Sequence, residues 1–152
     1  SQYWPIRPLA TCTVWLAIDD AKVENGCLRF IKGSHKEKKL KSHNINDNKN
    51  LTLNQELDES EYNEKDAVNL ILKRGQISLH DVYLVHGSEA NNSLMARRAI
   101  TMRFMPTSSV FDHQMVKDKN LFSKLNASKY QDRKIYHMRG KDISGKNNLT
   151  YI

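Results

Sequence analysis

The sequence predicts a mainly β domain, an antiparallel sandwich or barrel. Three observations carry this. Short runs rich in β-branched and aromatic residues recur along the chain, separated by clusters of Gly, Asn, Asp and Pro. No stretch holds a long helical period. No repeat or linker marks a second domain, and 152 residues are enough for one core.

The elements follow in order. Residues 11–18 (TCTVWLAI) read as a buried strand, and Asp19-Asp20 with Glu24-Asn25-Gly26 supply polar turn material. Cys27 to Ile31 is a second strand, stopped by Gly33-Ser34. Residues 36–66, rich in Lys, Asn and Glu, read as a long, mobile surface insertion. Residues 67–73 (AVNLILK) form a strand that Arg74-Gly75 turns into QISLHD, followed by VYLVHGS. Ala99 to Met105 is the last strand, ended by Pro106. Beyond it the chain is polar and basic, with short helical pieces anchored by Leu121-Phe122 and Ile135-Tyr136. Residues 1–106 thus read as the core and 107–152 as an extension of the same domain.

Composition narrows the function classes. Hydrophobic residues make up 39% and charged residues 27%, as in an ordinary soluble protein. No apolar run approaches the roughly 20 residues that span a bilayer, and the start carries no secretory pattern. Cys12 and Cys27 lie inside strand-like runs and read as reduced core residues of a cytoplasmic protein. The net charge is +7 and the pI about 9.4. Much of the excess falls in Lys32 to Lys41 (KGSHKEKKLK), with little aromatic interleaving, which fits a solvated loop better than a nucleic-acid face. The rival reading, a polyanion binder, would show affinity that falls steeply with salt.

His86 closes the apolar run YLVH and is followed by Gly87 and Ser88, which leave the backbone open beside the imidazole. Arg97 lies eleven residues on, at the start of the next strand. An arginine facing a barrel interior requires an anion, and its planar fork matches a carboxylate. By alternation Arg97, Ala99, Thr101 and Arg103 share one strand face and can line a cavity. Arg98, Ile100, Met102 and Phe104 share the other, apolar face. His80, six residues before His86, would lie about 20 Å from it on a straight strand, so one metal could take both only if the chain bent sharply near Asp81; a structural role suits it better. An iron site of two histidines and one carboxylate draws two ligands from an H-x-D or H-x-E pair. The chain's one such pair is His35 and Glu37 (HKE), 51 residues before His86.

Five stretches in register resemble the phytanoyl-CoA dioxygenase family of iron(II)- and 2-oxoglutarate-dependent oxygenases. They are YWPIRP (3–8), TVWLAIDD (13–20), ENGCLRFIKGSHK (24–36), QISLHDVYLVHGSEANNS (76–93) and RRAITMRF (97–104). The resemblance implies a double-stranded β-helix, a cupin-like jelly roll of two facing sheets. It implies that His86 is the distal iron ligand and that Arg97 grips the far carboxylate of 2-oxoglutarate. Ser88 would assist at that carboxylate, and Trp15 would line the same pocket. It further implies iron(II), 2-oxoglutarate and O2 as cofactor and co-substrates, with hydroxylation of a small organic substrate. Spacing alone would also allow His86 and Arg97 to face each other across a hairpin at Asn91-Asn92; the family places them on opposing sheets.

The chain departs from the family at Lys32, where proline is usual. A larger departure concerns the H-x-D pair, which the family carries immediately ahead of the stretch matching Tyr3-Trp4. The expectation is therefore a jelly roll incomplete on its N-terminal side, with one iron ligand, inactive alone. Open sheet edges and an uncovered apolar face predict a homo-oligomer or a swapped assembly. A further alternative is a cupin-like, non-enzymatic binder of an organic anion through Arg97.

Overall fold

The computed structural model describes residues 4–46, 48, 55–117 and 132–152. Along them run β1 (Ile6–Arg7), β2 (Cys12–Ala17), β3 (Leu28–Ile31), β4 (His43–Ile45), β5 (Gln55–Leu57), β6 (Ala67–Leu70), β7 (Ile77–Asp81), β8 (His86–Ser88), β9 (Ala99–Phe104), β10 (Val110–Phe111), the short helix α1 (His113–Lys117), β11 (Ile135–His137) and β12 (Leu149–Tyr151). The chain divides into two compact units, Cys12–Phe104 and a second formed by Ser1–Thr11 with Met105–Ile152. No described helix is long and apolar enough to cross a membrane.

The Cys12–Phe104 unit is built on two three-stranded antiparallel sheets, ordered β7-β2-β9 and β6-β3-β8. Most residues expected to form strands do so, with ends within three positions of those expected, but in VYLVHGS only His86–Ser88 form a strand and residues 82–85 make the turn that leads into it. Trp15, Ala17, Ala21, Cys27, Leu28 and Leu72 form the buried core, with Phe30, Leu70 and Ala99 against it. Side chains from both sheets meet there, as in a sandwich of two facing layers.

Alternation sorts the β7-β2-β9 sheet sharply. One face shows the rows Leu79–Val14–Met102 and Ile77–Leu16–Ile100. The other shows His80–Thr13–Arg103 and Ser78–Trp15–Thr101. The second face carries buried Trp15, Thr13 and His80. The apolar face stays open, with Leu79 63% and Ile100 49% exposed.

The region 36–66 is not featureless. β4 and β5 pair antiparallel within it, and two 3-10 turns, Glu59–Glu61 and Glu64–Asp66, lead into β6. The side chains of Asp58 and Asn63 cap those turns by accepting from Ser60 N and Lys65 N. Hydrophobic patterning could not see this, because local capping and not apolar burial holds these turns. Arg29 ties the region to the sheet by pairing with both Glu64 and Glu89.

In the other unit β1 pairs antiparallel with β10, and Ile6, Phe111 and Val116 form a small core. Ile135-Tyr136, expected in a helical piece, instead belong to β11, which runs parallel to β12. A side-chain pattern of two apolar residues among polar ones does not separate the two outcomes. Leu121-Phe122 lie outside the described residues. Both cysteines are free, as expected, but only Cys27 belongs to the core; Cys12 is exposed.

Candidate 2-oxoglutarate site

His86 and Ser88 share one face of β8, with Gly87 between them turned the other way. β8 belongs to the β6-β3-β8 sheet, whereas the strand that Arg97 leads into, β9, belongs to β7-β2-β9. The two elements therefore stand in opposing sheets, not across a hairpin at Asn91-Asn92. Asn91 instead closes a local turn, accepting from Ser93 N and donating to Met95 O.

Arg97 is held from both sides along the backbone. On one side the Asn25 side chain donates to Ala96 O (3.2 Å) and Asp20 O (2.8 Å) while accepting from Lys22 N (2.7 Å). On the other, the Arg98 guanidinium makes a two-pronged contact with Asp19 at 2.9 and 2.8 Å, and Asp19 also accepts from Arg98 N. These bonds from Arg98 hold the Asp19 carboxyl far below the usual carboxylate range. Between the tethers, the Arg97 guanidinium carbon lies 6.0 Å from the centre of the buried Trp15 ring. The two anchors hold the backbone on either side of Arg97, and its guanidinium lies beside the indole.

Asn25 was not singled out in the sequence. Its signal was present in Glu24-Asn25-Gly26, but the stretch read only as a turn. Asn25 is in fact 1% exposed and fully bonded. Gly26 has φ +77°, and a Cβ there would stand 2.6 Å from Glu89 O, so only glycine fits.

His86 Nδ1 lies 2.7 Å from Leu84 O. A carbonyl can only accept, so Nδ1 carries the proton and Nε2 presents a lone pair, the form a metal ligand needs. Surrounding protein mass lowers the pKa of His86 below the ordinary histidine value, against the opposing effect of the Leu84 carbonyl; the Arg103 charge lowers it further.

His80 is not remote from it. The chain turns after Asp81, where Asp81 accepts from Tyr83 N, and the His80 and His86 ring centres are 5.0 Å apart. The straight-strand separation of about 20 Å fails because β7 and β8 belong to different sheets. Phe30 completes the cluster, 5.4 Å from His80 and 6.0 Å from His86. Burial, then the neighbouring His86 and Arg103, bring the His80 pKa down to about 4.

His35 and Glu37 sit on the 3-10 turn Ser34–Glu37, not on a strand. Side chains two apart on such a turn do not share a face. Glu37 is engaged with Lys41 at 3.2 Å. Among the described residues no three His, Cys, Asp or Glu side chains are grouped to hold one ion, so this pair does not gather with His86 into a triad.

A family model described as phytanoyl-CoA dioxygenase matches residues 1–99. The chain belongs to this family. Relatives include a phytanoyl-CoA dioxygenase domain-containing protein 1 homolog of Dictyostelium discoideum, 37% identical over 107 residues, which cover 69% of this chain and 38% of that protein. The peroxisomal phytanoyl-CoA dioxygenase of Homo sapiens is 32% identical over 109 residues, 67% of this chain and 30% of that protein. Among solved structures, EvdO2 from Micromonospora carbonacea var. aurantiaca complexed with 2-oxoglutarate aligns with a TM-score of 0.57 at 26% identity, covering 68% of this chain and 40% of that one. The non-heme monooxygenase ThoJ aligns with a TM-score of 0.58 at 23% identity, covering 70% of this chain and 38% of that one, a likeness of fold. The chain thus spans about two-fifths of the length of the proteins it matches. The two three-stranded sheets are part of the family's double-stranded β-helix.

Proposed function

We propose that this chain supplies the 2-oxoglutarate-gripping part of an iron(II)- and 2-oxoglutarate-dependent oxygenase that hydroxylates a small organic substrate. The observation that carries this is the anchored Arg97. Its backbone is tied down on both sides, its guanidinium lies 6.0 Å from the Trp15 ring centre, and it leads into a strand of the sheet opposite the one that carries His86 and Ser88. The fork would take the far carboxylate of 2-oxoglutarate through two parallel hydrogen bonds. The Ser88 hydroxyl would donate to the same carboxylate, and Trp15 would shield it from water.

The described residues do not by themselves fit a three-ligand iron centre. His86 is suited to be one ligand, with Nε2 kept unprotonated by the Leu84 carbonyl, and no grouped partners accompany it. In the complete oxygenase, bound iron would supply the activation of O2. Two residue effects stand apart from the metal: Arg97 would orient the co-substrate, and the protein around the partly exposed His86 ring lowers its pKa, which favours the neutral imidazole.

The test is a calorimetric titration of the chain with 2-oxoglutarate, with and without a divalent metal. Binding lost in Arg97→Gln supports the reading; binding indifferent to that change sinks it. Affinity that depends on Arg97 but not at all on metal would favour the second reading, a non-enzymatic anion binder. The lack of a grouped triad among the described residues is the observation on its side.

The open apolar face of β7-β2-β9 suggests that a second copy of this chain covers it. Its exposed Ile77, Leu79, Ile100, Met102 and Phe104 are continuous across the sheet, and the edges β7 and β9 flank them.

A further inference from the structure

The polar face of the β7-β2-β9 sheet has two cationic ends. Arg97 marks one. The row His80–Thr13–Arg103 marks the other, six residues farther along the chain and about 20 Å away between backbones. Thr13 and His80 are buried, and Arg103 Nε donates to Thr13 Oγ1 at 3.3 Å. This row faces His86, whose ring touches that of His80. Arg97 and the His80–Arg103 row are thus two separate cationic positions along one sheet face.

Two polar atoms on this face are left without partners. Ser78 Oγ and His80 Nδ1, neighbours on the inner side of β7, are buried and make no hydrogen bond among the described residues. Buried polar atoms are almost always satisfied, so the two orphans mark a stretch of this face whose polar groups the described residues leave incomplete. For His80 they favour one tautomer. An unpaired buried N–H is rarer than an under-satisfied acceptor, so the lone pair is assigned to Nδ1 and the proton to Nε2. Nε2, which is not among the sealed, unbonded atoms, is then available as a donor. His86, by contrast, presents an acceptor at Nε2 because Leu84 O claims its Nδ1 proton. The adjacent imidazoles are thus polarised in opposite senses, one toward a cation and one toward an anion.

We infer that His80 Nε2–H and the Arg103 guanidinium form a recognition site for an anionic group, a carboxylate or phosphate, on the primary substrate. The site is separate from the one at Arg97, and Thr13 positions Arg103 within it. The assignment as a substrate site rests on the oxygenase reading; the anion site itself does not.

The test uses the full chain, inorganic phosphate as probe, and the histidine-ring nitrogen spectrum as readout. The His80 resonances are assigned by their loss in His80→Phe, or through the ring contact with Phe30 should that variant fail to fold. Phosphate is expected to move the His80 Nε2 signal saturably. Arg103→Gln should weaken that response about tenfold, as for loss of one charge-assisted pair, while Arg97→Gln leaves it in place. A His80 signal that phosphate does not move overturns the inference. So does a response that survives Arg103→Gln, or one abolished by Arg97→Gln. Failure of 2-oxoglutarate to bind, with the His80 response intact, would remove the oxygenase reading and leave the anion site standing.

Discussion

Asn25 anchors the backbone next to Arg97. Replacing Asn25 with Ala leaves Lys22 N, Asp20 O and Ala96 O without partners in a buried turn, at a cost on the order of 2 to 3 kcal/mol. Thermal melting would show the loss, and 2-oxoglutarate affinity should fall with it because Ala96 adjoins Arg97. Asp19 acts at the same anchor. Its carboxyl pKa is depressed, so its contribution is present above the unfolded value of 3.8 and is lost as pH falls through the lower folded value. Asp19→Asn should therefore flatten the acid limb of the stability profile. His80 works in a different window. Its folded pKa of about 4 lies below the ordinary 6.5, so the unfolded chain takes up a proton first as pH falls. Stability should decline between about pH 6.5 and 4, by on the order of 2 kcal/mol, and His80→Phe should remove that slope in denaturant titrations. At this scale spacing and resemblance named His86, Arg97, Ser88 and Trp15, and the structure puts His86 and Ser88 on one face of β8 and the Arg97 guanidinium beside the Trp15 ring. Asn25 was not, because a buried polar hub and an exposed turn residue look alike in a sequence.

The strands were readable where polar and apolar residues alternate, as in TVWLA and ITMRF, although only the first of these buries one face. They were not readable in β4, β5, β11 and β12, which are three residues each. The close approach of His80 and His86 was missed for a related reason. A single run QISLHDVYLVHGS holds two strands of different sheets, and nothing apolar marks the turn after Asp81. The β3 entry turn offers an element-scale check. Gly26→Ala would force a Cβ against Glu89 O at a positive φ, costing on the order of 1 to 3 kcal/mol. Because Glu89 directly follows β8, the variant should also weaken 2-oxoglutarate binding beyond what its melting temperature explains.

For the molecule as a whole, one sheet presents a polar face to the site and an apolar face to solvent. The sequence showed this division, since Arg97, Ala99, Thr101 and Arg103 alternate with Ile100, Met102 and Phe104. If a second copy covers the apolar face, light scattering should show a mass that rises with concentration, and Leu79→Lys should return the chain to a monomer without loss of fold. A mass equal to one chain at all concentrations would contradict this. The central claim concerns the other face and is tested most directly by calorimetry with 2-oxoglutarate on the native chain and on Arg97→Gln. The account predicts binding by the native chain and a loss of about tenfold or more in the variant. Equal affinities, or no binding by the native chain with or without metal, would contradict it.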